Sequence, residues 1–505
     1  MNSASPLITD SLPNRFLKRF FSFPVAIASL LAVLAVLTVR SRFDDPDMWW
    51  HLRMGQIVWT THTIPVTDIF SFTTNHHSWI PHEWLAQTTI FAAYHWAGYS
   101  GLMFWLCLVT TAVFIAGYAL CSLYSGNIKV SFLGALIIFV FATVGVSIRP
   151  QLIGYLFLIL ELLLIHLGRS RNARWFWLLP PLFAIWVNCH GSFFLGIILA
   201  AVFLFSGFFE FRIGSLSAKR WDAGTRKTFV FAMLLSIAAL FANPIGLKLI
   251  LYPADTLLHQ PVGLSIVQEW QPLHLNSARG ILLLAVLGGI FLLGLMQKSQ
   301  LYLEELLLLA IGVWLAGSHD RMLFVFGILA APILSRMLSG SWENYDPATD
   351  RKLPNAILFA AVLAVVYLAF PKSASLTRQA EQTSPARAVD FIKSHHLSGP
   401  MLNDYTYGGY LIWALPEQPV FVDGRGDVYE WTGVLQEFER WATLQSDTNL
   451  LLDKYKIQFC LLTPNAPVTH VLTLIGWKPI YSDPNAVIFV RPGSFNSLIP
   501  ISQNP

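Results

Sequence analysis

Long apolar runs alternate with short polar stretches along most of the chain, and this pattern predicts a bundle of membrane-spanning helices. A helix needs roughly 20 mostly apolar residues to cross the hydrocarbon core of a bilayer. Eleven windows approach that length: 24–40, 101–124, 128–147, 151–168, 175–190, 192–209, 229–243, 280–297, 301–316, 321–338 and 354–370. We therefore predict an α-helical polytopic membrane protein with about eleven transmembrane helices.

The stretch between the first two windows, residues 41–100, is too polar to span and too aromatic for a plain linker. The run that begins at Asp47, DMWWHLRMGQIVW, repeats its apolar residues at helical spacing. This pattern predicts an amphipathic helix over 48–59, and a similar one is predicted over 82–97. Both helices are expected to lie in the membrane interface, with their tryptophans at headgroup depth.

The chain returns to ordinary polarity over residues 371–505. Short apolar runs that end in turn residues alternate there with helical stretches at 385–396 and 431–455, which predicts a small α/β domain. The apolar runs are PMLND, PVFVDGRGD, IQFCLLTPN and NAVIFVRP. We interpret the glycine turns at 407–410 and 423–427 first as backbone turns, with a chemical role as the alternative.

Composition agrees with a membrane protein, since 55% of the 505 residues are hydrophobic and only 12% are charged. Soluble domains usually carry about 25% charged residues. The net charge of +4 is small, and we do not expect nucleic acid as a partner. The four cysteines show no metal-ligand spacing and are interpreted as small apolar residues.

The distribution of Lys and Arg predicts the orientation, because these residues collect on the cytoplasmic side. With the N-terminus inside, the cytoplasmic segments hold sixteen and the opposite segments seven. The seven are Arg40, Arg42, Arg53, Arg149, Lys248, Arg279 and Arg321. We therefore predict a cytoplasmic N-terminus over 1–23, a transmembrane domain over 24–370 and an extracytoplasmic domain over 371–505.

Polar clusters at the span ends fall on the predicted outer side, which suggests a site at that face. The clusters are Asp44-Asp45-Pro46-Asp47, His82-Glu83-Trp84, Arg149-Pro150-Gln151, Asn188-Cys189-His190-Gly191, Glu269-Trp270 and His319-Asp320-Arg321. For single residues the structural alternatives stay open. Asp47 could serve only as a helix N-cap, and Glu83 only as a first-turn acid favoured by the helix dipole.

The polar motifs of the chain resemble those of GT-C-type membrane glycosyltransferases, including bacterial multispanning glycosyltransferase-like proteins. In residues 41–100, which we call the first outer loop, they are D-P-D-x-W-W-H-L-R-x-G, I-P-x-T-D-x-F-S-F-T and W-I-P-H-E-W-L. Further matches are S-I-R-P-Q at 147–151, W-V-N-C-H-G-S-F at 186–193, N-P-I-G at 243–246, E-W at 269–270, G-G-Y-L-I-W at 408–413 and V-F-V-D-G-R at 420–425. The resemblance covers nearly the whole chain.

The resemblance implies a GT-C-like fold and transfer of a sugar from a polyprenyl-phosphate donor to an extracytoplasmic hydroxyl, with inversion. A first-loop carboxylate would act as base, with Asp47 the first choice, then Asp45 and Glu83. The leaving phosphate needs cations or hydrogen-bond donors. Candidates for binding the phosphate or the substrate are His51, His82, Arg149, Asn188, His190, Glu269, His319 and Arg321. No cofactor is certain, and a divalent metal held by Asp47, His51 and Glu83 is the alternative arrangement, although their spacing matches no known signature.

The expected partners are the lipid-linked sugar, membrane lipids and a cell-envelope glycan, lipid or protein that accepts the sugar. The expected location is the bacterial inner membrane.

Other functions stay open at this stage. A transporter or lipid flippase is suggested by Glu161, an acid deep in an apolar window. A polysaccharide polymerase or ligase would share the donor, and a non-catalytic scaffold would use the outer domain to bind a partner.

Overall fold

The computed structural model of the chain describes residues 21–74, 76–259, 270–296 and 299–495, and most of these residues are helical. Every predicted apolar window contains a helix. These helices are Phe23–Val39, Trp84–Ser125, Ile128–Ala142, Gln151–Ser170, Leu179–Trp186, Phe193–Ser206, Ala223–Ala239, Ala278–Met296, Leu303–Ser318, Leu323–Leu338 and Lys352–Ala369. The helical architecture expected from the apolar pattern is therefore confirmed.

Within the described residues, five helical stretches are long and apolar enough to cross a membrane. They are Trp84–Ser125, Gln151–Ser170, Ala278–Met296, Asp320–Ser341 and Lys352–Ala369. Three apolar helices are shorter: Phe23–Val39, Ile128–Ala142 and Phe193–Ser206. The number of complete spans thus stays a prediction. All four cysteines are buried and unpaired, as expected of small apolar residues.

Both helices predicted between residues 41 and 100 are present, and their position in the membrane interface stays a prediction. The first is Met48–Thr61, and the second is the initial arm of Trp84–Ser125. This long helix is kinked at Ala97 and Gly98, where Gly98 adopts φ 57° and ψ −138°. Only glycine reaches that region of backbone space at little cost. The kink therefore separates an arm in the first loop from the span that follows.

The window at 175–190 shows how proline shortens a predicted span. A 3-10 segment, Ala173–Leu178, leads into a helix of only 8 residues, Leu179–Trp186, with proline at its start. Proline is favoured at the first helical position because it lacks the N–H that would be unpaired there. At about 1.5 Å per residue this helix extends only about 12 Å, too short to cross by itself. The apolar pattern also gave no sign of the helix Leu247–His259.

Residues 371–495 form the expected α/β fold around a four-stranded sheet. The strands are Met401–Asn403, Phe459–Leu462, Lys478–Ser482 and Val487–Val490. The first two are parallel neighbours, and the last two form an antiparallel pair beside them. The accompanying helices are Ser373–Thr383, Ala386–Ser394, Gly408–Ala414, Gly426–Thr432, Val434–Ala442, Thr448–Lys454 and Pro467–Leu474.

Two details of that domain differ from the sequence prediction. The helical stretch at 431–455 is broken, because Gly433 has a left-handed φ of 76° that ends one helix before the next begins. The apolar run at 420–422 does not join the sheet. Val420 instead pairs with the first outer loop, where its N–H donates to the Phe70 carbonyl at 2.9 Å and its carbonyl accepts from Phe72 N–H at 3.2 Å.

The first outer loop and the C-terminal domain share one hydrophobic core. Trp50, Met54, Val58, Phe70 and Trp79 of the loop belong to the same buried cluster as the side chains around the sheet. The loop is thus held between the bundle and the domain. This packing fixes the polar ends of several elements at one end of the molecule.

Candidate functional site

Six of the predicted site residues line a single cavity between the first loop, the bundle and the C-terminal domain. Its volume is about 160 Å³. The side chains that line it are Asp47, Trp50, His51, Trp79, Pro81, His82, Glu83, Gln87, Arg149, Gln151, Arg321, Gly424, Arg425 and Asp427. Four segments that are far apart in the sequence therefore contribute charged groups to one space.

Arg149 joins the two aspartates of the Asp-Pro-Asp motif. Its Nε lies 2.5 Å from Asp45 Oδ2, and its Nη2 lies 3.1 Å from Asp47 Oδ2. Burial raises the pKa of Asp45, but the Arg149 charge and the hydrogen bonds to the carboxylate together outweigh burial and lower the pKa below its ordinary value. Asp45 is thus fixed as an anion behind the cavity, while Asp47 lines it.

Asp47 stands at the N-cap position of Met48–Thr61, yet its side chain makes no capping hydrogen bond. Its Oδ1 instead accepts from Trp50 Nε1 at 3.2 Å. The interpretation of Asp47 as a cap only is therefore not supported. A capping carboxylate would point at the helix N–H groups, whereas this one points at Arg149 and the cavity.

Glu83 is surrounded by three histidines from three segments. Its carboxylate oxygens lie 3.7 Å from His51 Nδ1, 3.6 Å from His82 Nε2 and 3.6 Å from His190 Nε2. Burial would raise the pKa of Glu83, but the histidines, His82 foremost, outweigh burial and lower it well below its ordinary value. The carboxylate is thus ionised.

The three histidines differ in charge. Burial lowers the pKa of His51 and of His190 to about 4, so both are neutral at pH 7. Burial also lowers the pKa of His82, but Glu83, the Asp427 charge and the Ile80 carbonyl together outweigh burial and raise it. His82 is therefore the positive partner of Glu83.

Hydrogen bonds fix the orientation of two of these rings. His190 Nδ1 accepts from the Ser192 N–H at 3.1 Å, which leaves its proton on the nitrogen that faces Glu83. His82 Nδ1 lies 3.3 Å from the Ile80 carbonyl, to which it donates. Both rings therefore direct an N–H towards the carboxylate.

The C-terminal domain supplies residues that the sequence analysis treated as a turn. Asp427 lines the cavity, and its Oδ2 accepts from the Tyr252 hydroxyl at 3.0 Å. Tyr252 in turn stacks on His82, with 4.2 Å between ring centroids. Burial raises the pKa of Asp427, although the positive charge of His82 opposes the shift. Tyr252 belongs to the helix Leu247–His259, which the apolar pattern did not predict.

Gly424 shows why this turn needs glycine. A Cβ built at Gly424 would lie 1.8 Å from Asp47 Oδ1, so any side chain there would displace the aspartate. The available signal was the D-G-R motif itself, which belongs to the resemblance described above. What the motif could not reveal was its contact with the first loop.

Arg425, at the edge of the cavity, forms a buried ion-pair network. It donates to both carboxylate oxygens of Asp423, at 2.8 and 2.7 Å, and to Asp68 Oδ1 at 2.7 Å. Its guanidinium also lies over the rings of Phe70 and Trp79, at 4.8 and 4.7 Å from the centroids. The network therefore joins the domain to the first loop through charge as well as apolar packing.

Other predicted residues lie outside the lining. Asn188 is structural, since its Oδ1 accepts from Trp84 Nε1 at 2.8 Å and its Nδ2 donates to the carbonyls of Ala184 and Ala242. His319 lies at 2.9 Å from the Trp270 carbonyl through Nδ1 and does not line the cavity. Glu269 lies outside the described residues.

The predicted metal arrangement does not fit the geometry. Asp47 faces Arg149, and Glu83 faces the three histidines. In the described parts of the chain, no group of three or more His, Cys, Asp or Glu side chains is arranged to hold a metal ion. We therefore assign no step to a metal.

The side-chain oxygens of Gln87 and Gln151 are buried at the lining without a hydrogen-bond partner among the described residues. They can accept hydrogen bonds from a bound ligand or water.

Comparison with known proteins relates this architecture to solved membrane enzymes. The Archaeoglobus fulgidus oligosaccharyltransferase with a tethered acceptor peptide superposes with a TM-score of 0.53, at 11% identity, over 88% of this chain and 69% of that one. The same archaeal enzyme, AglB, with an inhibitory peptide and a dolichol-phosphate also gives 0.53, at 12% identity, over 97% and 76%. ArnT from Cupriavidus metallidurans covers 92% and 97% at 12% identity, but its TM-score of 0.44 is too low to carry an argument.

No family profile matches the chain, and no curated protein matches it. At identities of 11–12% the structural likeness establishes the fold and leaves the activity to be argued from the site. The chain is therefore a helical membrane protein with the fold of this oligosaccharyltransferase, and five of its described helical stretches are long and apolar enough to cross a membrane.

Proposed function

We propose that this protein is a glycosyltransferase that moves a sugar from a polyprenyl-phosphate donor to a hydroxyl of an extracytoplasmic acceptor, with inversion. The observation that carries the proposal is the cavity in which Asp47 meets Arg149 and Arg321. An inverting transfer needs a base on the acceptor hydroxyl and stabilisation of the leaving phosphate. One carboxylate and two arginines in a shared space supply both.

Exposure favours Asp47 as the base over the two other candidates. The Asp47 side chain is 20% exposed, compared with 7% for Asp45 and 10% for Glu83. An acceptor hydroxyl therefore reaches Asp47 most easily.

Arg149 and Arg321 are the groups we assign to the leaving phosphate. Arg149 already holds the Asp-Pro-Asp motif, so it would fix the base and the phosphate relative to each other. Arg425 is less suited, because its side chain is only 1% exposed and is bound by two aspartates. Arginine suits this task because its planar fork binds phosphate oxygens in pairs.

The cavity volume indicates which part of the donor it would enclose. About 160 Å³ is below the 300–1,000 Å³ usual for a pocket that encloses a whole small ligand. It is sufficient for the phosphate and the reacting carbon. The sugar ring and the lipid would then extend from the cavity mouth, and the side-chain oxygens of Gln87 and Gln151 would accept hydrogen bonds from the part of the donor that enters the cavity.

Donor class and location rest on separate support. The archaeal oligosaccharyltransferase of the same fold was solved with a dolichol-phosphate, which supports a polyprenyl-phosphate lipid as donor here. The excess of Lys and Arg at the opposite end supports an outward-facing site in a bacterial inner membrane. The acceptor would be a cell-envelope glycan, lipid or protein.

Asp47→Asn tests the proposal. The gene is deleted, then complemented with each variant, and lipid-linked sugars and envelope glycans are measured by mass spectrometry. We expect Asp47→Asn to reduce transfer by about 10²–10⁴-fold, the usual contribution of a general base. Asn retains the size of Asp, so folding should be unaffected. Asp44→Asn is the matched control, because Asp44 belongs to the same motif but is exposed to solvent.

The alternative of a transporter or flippase is favoured by one observation. Both carboxylate oxygens of Glu161 are buried without a hydrogen-bond partner among the described residues. A Glu161→Gln arm of the same experiment separates the two functions. Full transfer activity in the Asp47→Asn protein, with loss in Glu161→Gln, would reject the glycosyltransferase mechanism in favour of transport. The reverse pattern supports transfer at Asp47.

A further inference from the structure

A second, larger cavity lies at the other end of the bundle. Its volume is about 590 Å³. The helix Gln151–Ser170 connects the two cavities, since Gln151 lines the first and Ser170 the second. Its 20 residues extend about 30 Å, the thickness of a bilayer's hydrocarbon core. The two cavities therefore open at opposite membrane faces.

The buried acids of this second cavity are already neutralised. Glu304 pairs with Arg169, and Glu305 accepts from Arg336 Nε and Nη2 at 2.6 Å each. Asp222 keeps its charge, but it is exposed, and its Oδ1 caps the next helix by accepting from Thr225 N–H at 2.9 Å. The basic side chains of the lining therefore outnumber the acids that have no cationic partner.

Two basic side chains of the lining are not neutralised. Lys219 and Arg220 are exposed, and across the described ranges neither forms an ion pair with an acid. They follow directly after the strand Leu216–Ala218, which pairs with Phe211–Ile213 in a short hairpin. The hairpin is fixed to the bundle where Trp221 N–H donates to the Gly207 carbonyl at 3.0 Å. The two charged side chains are therefore held at the cavity by a hairpin that is anchored to the bundle.

The remaining walls are aromatic and amphipathic. Trp221 is buried, and the Arg169 guanidinium lies 5.6 Å from its ring centroid. On the opposite wall Tyr124 and His166 have their ring centroids 4.5 Å apart. Tryptophan, tyrosine and basic residues together are typical of the headgroup layer of a membrane.

We propose that this cavity binds the phosphate-bearing headgroup of an anionic phospholipid in that leaflet, through Lys219 and Arg220. A volume of about 590 Å³ lies within the range of ligand pockets and accommodates a glycerophosphate headgroup. Basic pockets between spans on the cytoplasmic side attract anionic headgroups, and the Lys and Arg distribution predicts that this side is cytoplasmic. The site is separate from the transfer chemistry.

The test uses the purified full-length protein in nanodiscs, with bound lipid counted by native mass spectrometry. Discs of phosphatidylcholine alone are compared with discs that also contain phosphatidylglycerol. We expect the protein to retain phosphatidylglycerol selectively. A Lys219→Gln/Arg220→Gln protein should bind it at least about tenfold more weakly, because two interfacial charges are lost.

Arg171→Gln/Arg174→Gln is the matched control, since both arginines are exposed near the same face but do not line the cavity. Equal weakening in the control would show general surface attraction and overturn the site. An unchanged affinity in the Lys219→Gln/Arg220→Gln protein would overturn it too. A parallel arm adds inorganic phosphate. Displacement of the lipid by millimolar phosphate would identify a soluble phosphate as the ligand instead.

Discussion

Two charged clusters lie side by side at the candidate site and differ in how completely their hydrogen bonds are satisfied. In the first, Arg425 makes hydrogen bonds of 2.7–2.8 Å to Asp423 and Asp68. Asp68 also accepts from Phe70 N–H and from the Thr74 hydroxyl, at 3.1 and 2.7 Å. In the second, Glu83 faces three imidazole nitrogens at 3.6–3.7 Å.

The difference indicates which cluster stabilises the fold and which one can bind a ligand. Hydrogen bonds from nitrogen to oxygen usually measure roughly 2.7–3.2 Å. The hydrogen bonds of the Arg425 network meet that range, so a ligand would gain little there even though Arg425 borders the cavity. The contacts of the Glu83 cluster do not meet it, and this cluster lines the same cavity. Its groups can still form shorter bonds to a substrate.

Arg425→Met tests the structural role of the Arg425 network, and we expect it to have the largest effect. This substitution leaves Asp68 and Asp423 as buried charges without their partner, which costs about 3–5 kcal/mol. We expect a large fall in the apparent melting temperature of the purified protein. Arg387→Met is the control, since Arg387 is exposed in the same domain. If Arg425→Met melted at the same temperature as the unchanged protein, the network would have no structural role.

Glu83→Gln should show a different balance, with a clear loss of activity and a smaller loss of stability than Arg425→Met causes. Without the negative charge, the pKa of His82 falls and the cavity loses its ion pair. We expect transfer to drop by about 10- to 10²-fold, the loss expected when a charged hydrogen-bond partner is removed, and the melting temperature to fall less than in Arg425→Met. Glu381→Gln, at an exposed glutamate, is the control. A variant that melts early but transfers sugar normally would reverse the assignment of the two clusters.

The smallest expected effect is one of pH. Because the pKa of His51 is about 4 in the folded protein and 6.5 ordinarily, the unfolded chain binds an extra proton below pH 6.5. Stability is therefore lost as pH falls from 6.5 towards 4, by about 1.4 kcal/mol per pH unit, or about 2 kcal/mol at pH 5. His51→Gln should remove the His51 share of this loss, while His190, whose pKa is also about 4, keeps its own share. Melting measured between pH 7 and 5 tests it.

The sign of the effect differs for neighbouring groups. His82 has a raised pKa, so its contribution is complete below pH 6.5 and is lost as pH rises through its folded pKa. Asp68 has a lowered pKa, so its contribution is lost only as pH falls below 3.8. The Arg425 network is thus silent between pH 5 and 7. If the melting temperature of His51→Gln fell between pH 7 and 5 as much as that of the unchanged protein, His51 would be protonated in the folded state.

Much of the site could be predicted from the first loop. The two interface helices and the grouping of Asp47, His51 and Glu83 followed from helical spacing and motif position. Asn188 and His319 end predicted spans on the same face, which predicts a binding role for both; that role stays a prediction, and neither residue lines the cavity. Asn188 is used to hold Trp84, and His319 contacts the Trp270 backbone. Side-chain direction decides such cases, and it depends on packing.

The sequence by itself determined the membrane bundle, the helices of the first loop and the α/β fold of the C-terminal domain, because hydropathy and helical or strand periodicity are local properties. Only the tertiary structure decided that the D-G-R turn completes the site. Arg425 and Asp68 are 357 residues apart in the chain, and no local pattern reports a pairing over that distance. Their contact exists because the loop and the domain bury one apolar core together, which brings the charged ends of both to the cavity that Asp47 lines.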